Sequence, residues 1–379
     1  MRDEWHIEDV RRERRDTASR VTASVNGYPV WFESADLDLR PVAEAFATLF
    51  FIPALDEAVT LHVEAELHPD WLSQTRKLLP IYNDWWNYPG AYPVTCAGRK
   101  ASVGASGSHV GQCFTGGVDS FYTLLHGSHD ASHLLYVQGY DMSCTDDQRM
   151  QALADSLRAV ASAHGKKVVR LRTNVREHPQ FKKASWERTH GAALAAAGSV
   201  ASGTLGRLII PSSYAYADEV PWGSHWNTDP LWSLPGRLDV VHGDASRSRR
   251  DKILRMASHP TVQRHLRVCW ENRSATGNCS QCEKCLRTMV LLEAAGTLPQ
   301  CAVFDTETPL AERLDAASPV GAHLWFVWED MMTRSRVKPA TRRAIRRLLR
   351  RSRLAHGKTE YGALARRGRR LWERLKTFV

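Results

Sequence analysis

A chain of 379 residues is long enough for about two domains and a large buried core. Its 43% hydrophobic and 24% charged residues are those of a soluble globular protein, and no run approaches the ~18 apolar residues of a membrane span, which excludes disordered and transmembrane classes. The formal net charge of +10 is uneven: residues 334–379 carry 17 Lys/Arg against Glu360 and Glu373, so residues 1–333 carry −5 and the basic character belongs to the C-terminal tail.

Met1-Arg2-Asp3-Glu4 lacks the apolar core of a signal peptide, so a cytoplasmic protein is expected, with the first ~20 Arg- and Glu-rich residues frayed. Asn26-Gly27 between alternating segments over 20–33 predicts a β-hairpin. A helix near 41–50, a strand near 58–64 and a helix near 70–79 complete a small N-terminal α+β domain over 1–100. Tyr82, Trp85, Trp86, Tyr88 and Tyr92, broken by Pro89-Gly90 and Pro93, read as a linker packed on its neighbours, with an aromatic substrate platform as the alternative.

From about residue 104 strands and helices alternate: strand 109–114, helix 120–125, strand 134–140, helix 145–164, strand 167–172, helix 184–197 and strand 207–211. This order predicts a parallel, doubly wound α/β sheet whose ligands bind outside the carboxyl ends of the strands. The stretch 212–251, dense in Trp, Tyr, Pro, Ser, His and Arg, has neither helical nor strand period and reads as substrate-recognition and closing loops, His225 among them as an ordinary loop histidine or a functional one.

The segment Cys113-Phe114-Thr115-Gly116-Gly117-Val118-Asp119-Ser120 reads as strand end, glycine turn and helix start. Two glycines free to take φ > 0, followed by Asp and Ser at helix-capping positions, suit a main-chain cradle for phosphate at a helix N-terminus. Thr115-Gly116-Gly117-Val118-Asp119-Ser120 resembles the Ser-Gly-Gly-x-Asp-Ser loop of the ATP pyrophosphatase (PP-loop) family, with Thr115 keeping the hydroxyl of the usual Ser. The resemblance implies cleavage of ATP to AMP and pyrophosphate to activate a substrate as its adenylate. It gives Thr115 to Val118 the leaving pyrophosphate, Ser120 a phosphate hydrogen bond and Asp119, on a solvent-facing turn, a share in placing Mg²⁺. Tyr136, Val137 and Gly139, ending the second strand of this region, become candidates for the adenine edge. Lys182, Lys183, Arg247 and Arg250 are candidates to neutralise charge on the pyrophosphate.

Four of the eight cysteines, Cys269, Cys279, Cys282 and Cys285, fall within 17 residues, too clustered for a disulfide framework. Two Cys-x-x-Cys steps suit a closed, structural, tetrahedral Zn²⁺ site, with an iron–sulfur cluster as the competing metal; Lys284, Arg287 and Arg273 flank it to offset the thiolate charge. A spaced Cys followed by Cys-x-x-Cys-x-x-Cys-x-Arg, here ending at Arg287, downstream of such a loop is similar to the 7-cyano-7-deazaguanine synthases. These PP-loop enzymes convert a carboxy-deazaguanine to the nitrile with ATP and ammonia. The similarity spans 104–296; the first hundred residues, the Trp-rich stretch and everything after Leu298 have no counterpart in it.

The expected domains are therefore 1–100, a catalytic 104–298, and a helical extension 299–379, basic from 334, with elements near 307–317 and 323–328. The helix 341–354 sets Ala344, Ile345, Leu348 and Leu349 on one face and arginines on the others. It suits a polyanion, an anionic membrane surface or an acidic partner, or else docks by its apolar stripe on the protein's own body. The expected activity is adenylate formation on a small carboxylate, followed by amide or nitrile formation with ammonia or another amine. The alternatives are sulfur transfer to a nucleobase through Cys113 or Cys144, and a non-catalytic nucleotide-binding component of a multiprotein system.

Overall fold

The computed structural model describes residues 4–356 apart from 16, 89, 102–104, 219, 275–276 and 334–335. In chain order the strands are β1 (Glu4–Arg15), β2 (Ala18–Val25), β3 (Tyr28–Ser34), β4 (Thr60–Leu67), β5 (Val94–Arg99), β6 (His109–Cys113), β7 (His133–Gln138), β8 (Lys167–Thr173), β9 (Leu205–Pro211) and β10 (Asp239–Gly243). The helices are α1 (Ala43–Asp56), α2 (Pro69–Arg76), α3 (Leu78–Trp86), α4 (Val118–His126), α5 (Asp147–Ala163), α6 (Pro179–Lys183), α7 (Trp186–Val200), α8 (Arg249–Met256), α9 (Pro260–His265), α10 (Glu283–Ala294), α11 (Leu310–Ala316), α12 (Trp325–Met332) and α13 (Pro339–Ala355). None of the described helices is long and apolar enough to cross a membrane.

The chain divides into two units, one of residues up to Thr115 with Thr123–Ser246, the other of Gly116–Tyr122 with everything from Arg247. The first contains one mostly parallel sheet of ten strands in the order β10-β9-β6-β7-β8-β3-β2-β1-β4-β5. From β10 to β8 all neighbours are parallel; β8-β3, β3-β2 and β2-β1 are antiparallel, and β1-β4-β5 is parallel again. Every residue of β7, His-Leu-Leu-Tyr-Val-Gln, is buried, the signature of a strand covered on both faces. β6 lies between β7 and β9, so the parallel half extends outward from β6 in both directions.

α1 is buried along almost its whole length and packs on α7, whose Ala192, Ala193, Ala195, Ala196 and Ala197 bury so little side chain that the two backbones approach closely. The hairpin turn has Asn26 at φ 49° and Gly27 at φ 75°, the left-handed pair that a two-residue turn between twisted strands requires.

Four expectations differ from the structure. The first residues are not frayed: β1 pairs with β2 on one side and β4 on the other, burying Trp5 and Ile7 while His6 and Glu8 alternate outward. Charge density along 8–15 hides this period of two, and the charges pair with each other, Arg12 with Asp38 and Arg11 with Glu13. The aromatic stretch is no linker up to Trp86: Tyr82, Trp85 and Trp86 belong to α3, with Tyr82 and Trp86 stacked at 4.9 Å. The stretch 212–251 is not irregular throughout, because β10 adds to the sheet edge beside β9 and α8 begins at Arg249. The sheet also runs through residue 100, where a domain boundary was expected, since Phe32 and Glu33 of β3 pair with Thr173 and Arg172 of β8.

In the second unit α10 buries Leu286, Met289, Val290 and Leu292. The stripe Ala344, Ile345, Leu348 and Leu349 of α13 is at most 2% exposed, and α13 packs on α11 and α12. Its arginines reinforce that seat: Arg347 holds Asp315 through two bonds of 2.8 and 2.6 Å, Arg351 donates to the carbonyls of Leu314 and Ala317, and Arg353 bonds Glu329. The apolar face of this basic helix is therefore spent on its own unit, while Arg343, Arg346 and Arg350 face solvent. The remaining basic residues, 357–379, lie outside the described residues.

Candidate phosphate loop and metal centre

Gly116 adopts φ +74°, the left-handed conformation anticipated from its place in the turn. Its carbonyl accepts the N–H of Arg267 at 2.7 Å, and a Cβ there would press on His265 O at 3.3 Å, so a larger residue is disfavoured chiefly by φ and further by this tight contact. Val118, fully buried, opens α4, and Thr115 is exposed. Ser120 is buried, and its hydroxyl donates to Gly117 O at 3.0 Å, tying the first helical turn to the loop.

Asp119 corrects an expectation. Its side chain is only 16% exposed, and Oδ2 accepts Arg249 Nη1 at 2.5 Å while Oδ1 accepts Lys252 Nζ at 3.4 Å. Each carboxylate oxygen thus meets a cation, so the residue braces α4 on α8 and does not stand on a solvent-facing turn. The Lys252 side chain is wholly buried, with its ammonium 5.7 Å from the centre of the Tyr122 ring. Lys284, partly buried in the first turn of α10, is pushed down to about 8 by desolvation and by the neighbouring Arg249 guanidinium, against the opposing pull of Asp119.

These cations differ from those the sequence suggested. Lys182 and Lys183 are exposed on α6, and Arg250 is held by Asp251 and Asp330. Arg249 and Lys252 were legible in principle: Ser248 accepts the N–H of Asp251 as the N-cap of α8, and three-residue spacing puts 249 and 252 on one face.

The four sulfurs of Cys269, Cys279, Cys282 and Cys285 lie within 4.8 Å of one another. Cys279–Cys285 and Cys282–Cys269 are both 3.9 Å apart, which matches the ~3.8 Å edge of a sulfur tetrahedron with ~2.3 Å metal–sulfur bonds. The group could hold a metal such as zinc. Cys282 is the N-cap residue of α10 and Cys285 lies in its first turn; Cys282 N–H donates to Cys279 Sγ at 3.2 Å. Hydrogen bonds, first from the Cys285 thiol and then from main chain, push Cys282 down to about 5, and that same bond raises Cys285. Asn278 braces the knuckle: Oδ1 accepts Val268 N and Cys269 N at 2.8 and 3.1 Å, and Nδ2 donates to Leu266 O and Val303 O. Ser280, at φ 55°, accepts Asp305 N, and Asp305 pairs with Arg313. Arg287 and Arg273 pair with Glu283 and Glu271.

In the first unit Tyr136 and Val137 are buried in β7, and Tyr136 donates its hydroxyl to Asp141 at 2.6 Å. Gly139, φ +107°, passes so close to Thr173 O that a Cβ would lie 1.9 Å from it. Cys113 is buried and its thiol is raised by desolvation, while Cys144 is pushed up to about 11 by desolvation and by its bond to Glu177 at 3.0 Å. Thiols held protonated in this way are poor sulfur carriers. Comparison with protein-family models, with curated proteins and with solved structures finds no match to this chain.

Proposed function

We propose that the chain is an adenylate-forming ATP pyrophosphatase of the PP-loop kind, which activates a small carboxylate for capture by ammonia or another amine. The observation that carries the reading is the left-handed Gly116 turn at the start of α4, closed by Arg267, with Asp119 of the same helix gathering the cations Arg249 and Lys252. Main-chain N–H groups at a helix start attract an anion, and a preformed cluster of positive charge stabilises a pyrophosphate as it leaves. The doubly wound order expected of such a fold is supported by the outward progression of parallel strands from β6, the strand that leads into the loop.

In this reading Thr115 to Val118 cradle the leaving group and Ser120 stiffens the cradle. Asp119 orients Arg249 and Lys252 and keeps the share in placing Mg²⁺ that the resemblance gives it. Tyr136, Val137 and Gly139 keep the adenine role that the resemblance gives them. Cys269, Cys279, Cys282 and Cys285 hold zinc as a closed structural site, whose contribution is to fix the first turn of α10, and with it Lys284.

The test is to incubate the protein with ATP, Mg²⁺, ammonia and a panel of carboxylates headed by a carboxy-deazaguanine, separating AMP and pyrophosphate from ADP and phosphate. AMP formation that depends on the carboxylate supports the proposal. ADP formation, or no nucleotide turnover with any member, overturns it.

A further inference from the structure

The solvent face of α13 takes no part in seating the helix and none in the glycine loop. The helix holds seven arginines among its 17 residues, at 342, 343, 346, 347, 350, 351 and 353, and no lysine, aspartate or glutamate. Arg347 and Arg353 pair with Asp315 and Glu329, and Arg351 donates to main-chain carbonyls, so these three serve their own unit. Arg343, Arg346 and Arg350 are exposed and have no hydrogen-bond or ion-pair partner among the described residues.

Spacing makes a stripe of the three. Positions i, i+3 and i+7 of a helix fall within ~60° of arc and span roughly 10 Å at ~1.5 Å per residue. At ~3.4 Å of axis per nucleotide, that length matches about three successive phosphates of one duplex strand. Arg346 stands four residues from Arg350, and Arg343 four from Arg347, and like charges at that spacing repel on a helix. The acids of α11 and α12 are mostly committed elsewhere: Asp315 and Glu329 to the arginines above and Asp330 to Arg250, which leaves Glu312 as the one outside such a pair among the described residues. A row of negative charge from outside would relieve the repulsion.

The chemistry of the face narrows the partner. An interfacial helix binds a membrane by sinking its apolar side, and here Ala344, Ile345, Leu348 and Leu349 are at most 2% exposed, with Leu354 the one large apolar side chain of the helix left outside. Single strands are gripped by stacking bases on aromatic rings, and α13 carries no aromatic residue. Guanidinium forks meet phosphate oxygens two at a time, which a lysine ammonium does not.

We propose that Arg343, Arg346 and Arg350 form a docking stripe for the phosphate backbone of a nucleic-acid duplex, bound without regard to sequence. The stripe lies wholly within the second unit, and its assignment is independent of the adenylate reading.

The test is fluorescence anisotropy of the full chain, metal included, with short labelled DNA and RNA duplexes of mixed sequence, titrated between 50 and 200 mM salt. Three phosphate contacts alone should weaken binding by the parent about fortyfold over that range. The triple variant R343Q/R346Q/R350Q should bind more weakly and flatten the slope of log affinity against log salt by about 2 to 3, for either duplex. Glutamine is a good helix former and the three positions are exposed, so the parent's urea midpoint is expected to be retained. The control R255Q/R264Q removes two exposed charges elsewhere in the same unit and should leave the slope nearly unchanged.

No duplex binding by the parent, a parental slope in the triple variant, or a control that flattens the slope as much per charge overturns the proposal. Should the triple variant lose its fold, the three single substitutions replace it, each expected to flatten the slope by about 0.9, and unchanged slopes in all three overturn the stripe. Phosphatidylserine vesicles bound as tightly as the duplex in the same buffer would give the face to a membrane, and poly-glutamate bound as tightly would give it to an acidic protein; either result overturns the assignment to a nucleic acid.

Discussion

The main-chain N–H of Arg267 donates to the carbonyl of Gly116 at 2.7 Å, and Arg267 stands two residues before Cys269. The glycine turn and the four-sulfur cluster are therefore joined through three residues of backbone, with Asn278 holding Val268 and Cys269 in place. Loss of metal should be felt at the loop. The purified protein is expected to contain one zinc per chain, and chelation or Cys282→Ser to lower thermal stability and speed amide exchange over 117–121 while leaving β7 protected. Zinc content by elemental analysis with exchange mass spectrometry checks both. A brown protein would transfer the site to iron–sulfur, and unchanged loop exchange in metal-free protein would refute the linkage.

The pairing of Asp119 with a buried ammonium changes what its replacement should do. Asp119→Ala takes a carboxylate from Lys252, whose side chain is 0% exposed, and from Arg249. Breaking a buried pair on one side costs about 3 kcal/mol, so the variant should unfold at clearly lower urea, whereas Asp119→Asn should cost less by keeping an acceptor. Urea titration decides it; a change below about 0.5 kcal/mol in Asp119→Ala would show that the pair carries no structural weight.

The sequence was most legible where one period dominates. Alternating strands and helices over 109–211 fell within a few residues of β6 to β9, α4, α5 and α7, because β7 and β8 are buried enough to be written in apolar residues and α7 in alanine. β1 was missed because its outward face is a row of charges, and β10 because five residues at a sheet edge carry too short a period. At the site, Gly116 and the cysteines announced themselves through residue types that few other roles explain. Arg249 and Lys252 did not, since which cation meets Asp119 depends on contacts 130 or more residues apart. The bond between Asp229 and His242, closed across a loop without regular period, was equally out of reach.

α13 separates packing from charge on one helix. Leu348→Ala removes a side chain that is 0% exposed between α13 and its neighbours, and should cost about 3 kcal/mol. Arg346→Glu, on the solvent face, should stay within about 0.5 kcal/mol. Equal effects of the two substitutions on the urea midpoint would mean that the apolar stripe is not the seat of the helix.

His225 supplies a pH dependence whose sign can be worked out. Its imidazole is pushed from 6.5 down to about 4, first by burial and then by His242, so the native state resists a proton that the unfolded chain accepts. Between about pH 6.5 and pH 4 the unfolded state binds more protons, and stability must fall as pH falls through that window. The contribution is complete above pH 6.5, and from this group the loss is about 2 kcal/mol at pH 5. His178, fully buried and likewise lowered by desolvation, adds in the same direction. His225→Asn retains an acceptor for the N–H of Asn227, which bonds Nδ1 at 3.1 Å, and has no proton to take up in this range. Urea midpoints measured from pH 7.5 to pH 4.5 should therefore decline less steeply in the variant than in the parent. Parallel curves would show that His225 titrates as a solvated histidine and that the loop around Asp229 is more open than its burial implies.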